Sequence, residues 1–111
     1  MDLLSRTEEF FLLAVHRLRD DAYGVTIADM LTQTSGKKWV LGAVYVPLER
    51  LEKKGYLTSF LGDPTNKRGG RSKRLYRLTR AGLNALIVTK KLELSLWEGI
   101  SVVKLEEDYE I

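Results

Sequence analysis

The sequence predicts a mainly α fold with one small β-hairpin, ordered as a winged helix-turn-helix followed by a long C-terminal helix. Three observations carry this expectation. Leu41, Val44, Leu48 and Leu51 recur at three- and four-residue steps, which places them on one stripe of a helix, while Gly42, Val46, Glu49, Arg50 and Lys53 fall on the other side. Lys53-Lys54-Gly55 then supplies positive charge for the helix's C-terminal end and a glycine for a left-handed cap. Two candidate strands follow: residues 56–61, with β-branched and aromatic content, and residues 73–78, which alternate well enough to be the antiparallel partner. Between them lie the turn formers Gly62-Asp63-Pro64-Thr65-Asn66 and Gly69-Gly70.

From the N-terminus, Ser5-Arg6-Thr7-Glu8 has the spacing of a capping box, so a first helix is expected from about Arg6 to Leu18. Phe10, Phe11, Leu12, Leu13, Ala14 and Val15 are apolar in succession, more than one half-buried face requires. The helix is either central to the monomer or shared between its core and a partner chain. A polar break at residues 19–24 precedes a second helix with Ile27, Ala28 and Leu31 inward, ending near Gly36. Trp39 and Val40 are expected to be extended, with Trp39 in a packing role. The third helix holds Pro47 about one turn inside it, where proline removes a backbone donor; either the helix begins near Val46, or it begins at Gly42 and kinks. Thr79 suits an N-cap for the last helix, on which Leu83, Leu86, Ile87, Leu94 and Trp97 recur at helical spacing. The domain boundaries expected are 1–80 for the winged helix, 81–103 for a C-terminal dimerisation helix and 104–111 for a flexible acidic tail.

The 111 residues fit one domain, and no apolar run is long enough for a membrane span, so a cytoplasmic protein is expected. With zero cysteines, disulfides and thiolate metal sites are excluded. A nucleophile-base pair, a Gly-rich phosphate loop and a metal-ligand cluster are all missing, and His16 stands alone on an apolar helix. Neither an enzyme nor a cofactor is therefore expected. Net charge is only +3, but it is unevenly placed: no acid falls between Asp63 and Glu93, whereas Glu106, Glu107, Asp108 and Glu110 close the chain. A cationic hairpin tip bearing Lys67, Arg68, Arg71 and Lys73 beside a small helix suits a phosphate backbone.

Tyr23-Gly24, Gly42-Ala43-Val44-Tyr45, Leu48-Glu49-Arg50-Leu51-Glu52-Lys53-Lys54-Gly55-Tyr56-Leu57, Gly69-Gly70-Arg71 and Tyr76-Arg77-Leu78-Thr79-Arg80-Ala81-Gly82 together resemble the PadR-like transcriptional regulators of the short C-terminal subtype. The likeness covers roughly residues 4–97. It implies a homodimeric regulator of double-stranded DNA whose last helix pairs with the partner's last helix and with the first helix. The DNA contacts expected are Tyr23, Lys38, Gly42, Ala43, Tyr45, Lys67, Arg68, Arg71 and Lys73; for Tyr45 a partly buried core role is the competing assignment. Phe10, Phe11, Leu86, Ile87, Leu94 and Trp97 are expected at the dimer interface. Since some members of the family bind flat hydrophobic compounds between the C-terminal helices, Trp97 is also the candidate contact for a small-molecule effector. The function expected is that of a dimeric repressor on an inverted repeat. The alternative is a winged-helix module that binds protein, a role that Val46, Pro47 and Glu49 on the third helix suit.

Overall fold

The computed structural model describes residues 3–62 and 73–109. Helix α1 spans Arg6–Leu18, and its start is the expected capping box: the Glu8 N–H donates to Ser5 Oγ at 3.1 Å and the Ser5 N–H to Glu8 Oε1 at 2.9 Å. After one 3₁₀ turn, Arg19–Asp21, helix α2 covers Gly24–Ser35 and closes on Gly36, whose φ of 74° is left-handed. The Trp39 N–H donates to Thr32 Oγ1 at 2.9 Å, which folds the connection back along α2. Helix α3, Leu41–Lys53, runs without a break through Pro47, so the start near Val46 is set aside. It ends in a turn with Gly55 at φ 83°.

Strands β1, Leu57–Leu61, and β2, Arg74–Leu78, pair antiparallel with Leu57 opposite Leu78 and Leu61 opposite Arg74. Each boundary falls within one residue of the expected run. The Tyr76 N–H donates to the Ala22 carbonyl at 2.8 Å and ties the hairpin to the turn before α2. Phe11, Leu12, Ile27, Val44, Leu48, Leu51 and Leu57 are fully buried, so the core is shared by the three helices and β1. Trp39 packs edge-on to Phe11 at 5.5 Å between ring centroids, in agreement with a packing role, and it takes no part in the two-stranded sheet. Leu41 departs from the expected stripe: as the first residue of α3 it overhangs the core and is exposed.

Helix α4, Arg80–Trp97, leaves the hairpin under tight constraint. The Thr79 N–H donates to the Tyr56 carbonyl at 3.1 Å, Thr79 Oγ1 donates to the Gly55 carbonyl at 2.6 Å, and the Gly82 N–H donates to Thr79 Oγ1 at 3.0 Å. A Cβ on Gly82 would overlap the Tyr56 carbonyl, so only glycine allows this approach. Past Trp97 the chain turns at Gly99, φ 79°, and forms helix α5, Val102–Tyr109.

This corrects two expectations. The long helix ends at Trp97 rather than at residue 103, and the segment expected to be a flexible tail is helical as far as Tyr109. Its start is capped by Ser101, whose Oγ accepts the Lys104 N–H at 3.0 Å, and Lys104 lies 3.7 Å from Asp108 one turn on. The molecule is elongated, 57 × 31 × 20 Å, with a radius of gyration of 16.9 Å. A compact domain of this length would have about 13 Å.

Candidate nucleic-acid interface

Helix α3 turns Val44, Leu48 and Leu51 into the core, so its opposite side is committed to solvent; Gly42, Val46, Glu49, Arg50 and Lys53 are all exposed there. Around Gly42 there is open space, with nothing within 4 Å of where a Cβ would stand. Ala43 is exposed beside it, and its N–H is bound to the Val40 carbonyl at 3.0 Å. Lys37 and Lys38 are exposed just ahead of the helix.

Three of the expected contact residues gather at the start of α2. The Lys73 ammonium, at the foot of β2, donates to Tyr23 Oη at 3.3 Å and lies 4.3 Å from the centre of that ring. Tyr45 reaches across from α3: a Cβ on Gly24 would stand 2.9 Å from its Oη and 3.1 Å from its ring. The Tyr45 side chain therefore packs on the start of α2 and is 43% exposed. Tyr23, Tyr45 and Lys73 thus bring two phenol side chains and one cation together at the start of α2. Lys67, Arg68 and Arg71 lie outside the described residues.

Gly24, read in the sequence only as half of the Tyr23-Gly24 pair, is a packing position that was not among the expected contact residues. It is buried because the Tyr45 ring occupies the place of a side chain. The signal was present in the Tyr23-Gly24 pair, but only the packing shows why the second residue has to be small. Arg74 and Arg77, the remaining cations of β2, are engaged within the hairpin. Arg74 Nη1 donates to Ser59 Oγ at 3.0 Å, and Arg77 lies over the Phe60 ring at 4.5 Å and 3.7 Å from Asp20.

A second surface lies along α1 and α4. Phe10 and Leu13 face outward from α1, and Leu83 and Ile87 face outward from α4; together they line a groove of about 540 Å³. Phe11 is turned into the core and is 0% exposed, so among the described residues the outward aromatic of α1 is Phe10 alone. The apolar run could not reveal this, because it fills both sides of the helix. Leu86 is half-buried against the monomer's own core, whereas Leu94 and Trp97 are 57% and 47% exposed. A further cavity of about 530 Å³ between α1 and α2 is lined by Phe10, Leu13, Met30, Leu31 and Trp39; Trp97 borders neither space.

A helix-turn-helix whose last helix stands free on its outer side, preceded by exposed lysines and followed by an antiparallel hairpin, defines the winged-helix fold of DNA-binding regulators. The chain belongs to the family described as transcriptional regulator PadR-like, whose model matches residues 12–87. Solved structures agree in fold. The chain is similar to a PadR-like transcription factor from Bacteroides fragilis, at 24% identity and a TM-score of 0.70, with 85% of each chain covered. It is also similar to a PadR family regulator from Eggerthella lenta, at 28% identity and a TM-score of 0.64, covering 92% of this chain and 85% of that one. The complex structure of hsRosR-S4 aligns with a TM-score of 0.67 at 21% identity, over 96% and 84% of the two chains. No curated protein matches the chain. No helix among the described residues is long and apolar enough to cross a membrane.

Proposed function

We propose that the chain acts as a homodimeric repressor on an inverted repeat of double-stranded DNA. The observation that carries dimerisation is the apolar surface left open on α4, from Leu83 and Ile87 to Leu94 and Trp97, together with Phe10 and Leu13 on α1. Exposed apolar area of this extent on a small chain marks an interface. A two-fold axis through it would set two α3 helices into major grooves about 10 base pairs apart, with Tyr23, Lys38, Tyr45 and Lys73 against the flanking backbone. Gly42 and Ala43 would permit close approach at the opening of α3. A flat hydrophobic molecule held between the two C-terminal helices against Trp97 would relieve repression by altering that spacing.

The test is selection of bound duplexes from a random pool at physiological salt, together with sedimentation of the protein alone and with the selected DNA. An enriched inverted repeat bound by two chains is the expected result. Binding without enrichment, or by one chain, would overturn the dimeric repressor. Absence of DNA binding would favour the protein-binding module suited by Val46 and Glu49 on the outer side of α3. For the effector, tryptophan emission titrated with planar cationic dyes should change and saturate; a flat titration would remove that part of the reading.

A further inference from the structure

The first two turns of α3 present almost nothing that can hydrogen-bond to a base. From Val40 to Pro47 the side chains are apolar or absent except for Tyr45, and Tyr45 Oη lies against Gly24 of α2. Directly opposite the buried Val44 and Leu48 stand Gly42 and Val46, and Val46 is 57% exposed. The first polar side chain on that outer side is Glu49, almost one turn further on. A reading helix meets base edges chiefly through the residues of its N-terminal half, and that half of α3 offers none of the amide or guanidinium contacts that identify adenine and guanine.

The charge around the patch indicates what covers it. Lys37 and Lys38 are exposed just before α3, Lys73 stands at the loop end of the hairpin against Tyr23, and Arg50 and Lys53 are exposed further along the same side as Val46. An apolar patch framed by cations suits a polyanion with an apolar group in its groove. In the major groove that group is the C5-methyl of thymine. Gly42, one turn before Val46 with open space about it, removes the side chain that would otherwise hold the base edge away.

We propose that Val46 is a specificity-determining residue that packs on a thymine methyl in each half-site. The inference rests on the DNA-binding reading above. It is tested on a duplex enriched from the random pool, with each thymine replaced singly by deoxyuridine, which lacks only the methyl. At one position in each half-site the replacement should weaken binding roughly three- to fivefold, the worth of one buried methyl-sized group. Val46→Ala alters both half-sites of the dimer at once, so it should weaken binding to the thymine duplex by roughly the square of that factor, about ten- to twenty-five-fold, and abolish the difference between thymine and deoxyuridine. The dependence on salt should be unchanged, and Val46→Ile should keep the difference. Because residue 46 is exposed and alanine favours helix, the fold should persist in Val46→Ala, as a melting curve would show. If a duplex is enriched but deoxyuridine costs nothing at any position, or if the difference survives in Val46→Ala, the role of Val46 is overturned and DNA binding is not. If no DNA is bound, both fall together.

Discussion

Glu9 is only 6% exposed, between α1 and α4, with Arg6 Nη1 at 3.4 Å and Glu93 across from it. Burial raises its pKa, the hydrogen bond and charge of Glu93 raise it further, and Arg6 and Lys90 oppose both. The folded chain therefore holds this proton more tightly than the unfolded chain does. Its contribution to stability is complete below the unfolded value and is lost as pH rises through the folded one. Glu8, one residue earlier, has the opposite sign. Burial would raise its pKa too, but hydrogen bonds from Lys54 and Ser5 outweigh it and the net shift is downward, so its contribution is lost as pH falls. Glu9→Gln should melt at or above the wild-type temperature at neutral pH, with a smaller decline as pH is raised from 4.5; a lower neutral melting point would mean that the ionised form is well paired. At Gly82 the expectation is steric. Gly82→Ala should destabilise by about 1–3 kcal/mol in denaturant titrations, because the methyl meets a backbone carbonyl that is itself hydrogen-bonded. Neither effect was legible in the sequence: Gly82 closes the motif at residues 76–82, but its clash with the Tyr56 carbonyl and the burial of Glu9 against Glu93 arise only from tertiary packing around α4.

Helix α3 shows how far local pattern reaches. Its core stripe at Val44, Leu48 and Leu51, its Gly55 stop and the strands beyond it follow from three-residue and two-residue spacing, and the structure reproduces them, with Leu41 alone falling outside the stripe. What spacing could not decide was Pro47, because a helix tolerates one missing bond when packing holds both sides. Here Val44 and Leu48, on either side of the proline, are fully buried. Pro47→Ala restores the donor and removes the ring's clash with the preceding turn, worth about 3 kcal/mol in a regular helix. A freer unfolded chain returns up to about 1 kcal/mol of that. The variant should thus be more stable by about 2 kcal/mol in a denaturant titration; no gain would show that α3 is already adapted to the proline. The acidic C-terminal segment was legible in composition and not in conformation. Helix α5 is short, and what marks its start is the single Ser101 cap.

For the whole molecule, the mainly α fold and the basic hairpin could be read from order and charge, whereas the division of α1 between two faces could not. The contiguous run at residues 10–15 fits either face, and only tertiary packing sends Phe11 inward and leaves Phe10 and Leu13 outside. The same scale governs the electrostatics. Net charge is modest, so attraction to DNA depends on where the cations lie. Replacing Arg68 and Arg71 together with alanine should weaken binding to all duplexes alike and, with two cations lost from each chain of a dimer, lower the slope of log affinity against log salt by about 3 to 4. An unchanged slope would remove the wing tip from the contact.

The two tryptophans differ in solvent access. Trp39 is half-buried edge-on to Phe11 within the helical body, and Trp97 is exposed at the far end of α4. The chain thus carries two optical reporters that separate by environment, one emitting toward the blue and one toward the red. With Trp97→Phe the remaining emission follows the packing of α1 and α2; with Trp39→Phe it follows whatever comes to cover the end of α4. Unfolding and association, which a single signal would merge, can in this protein be followed as two colours.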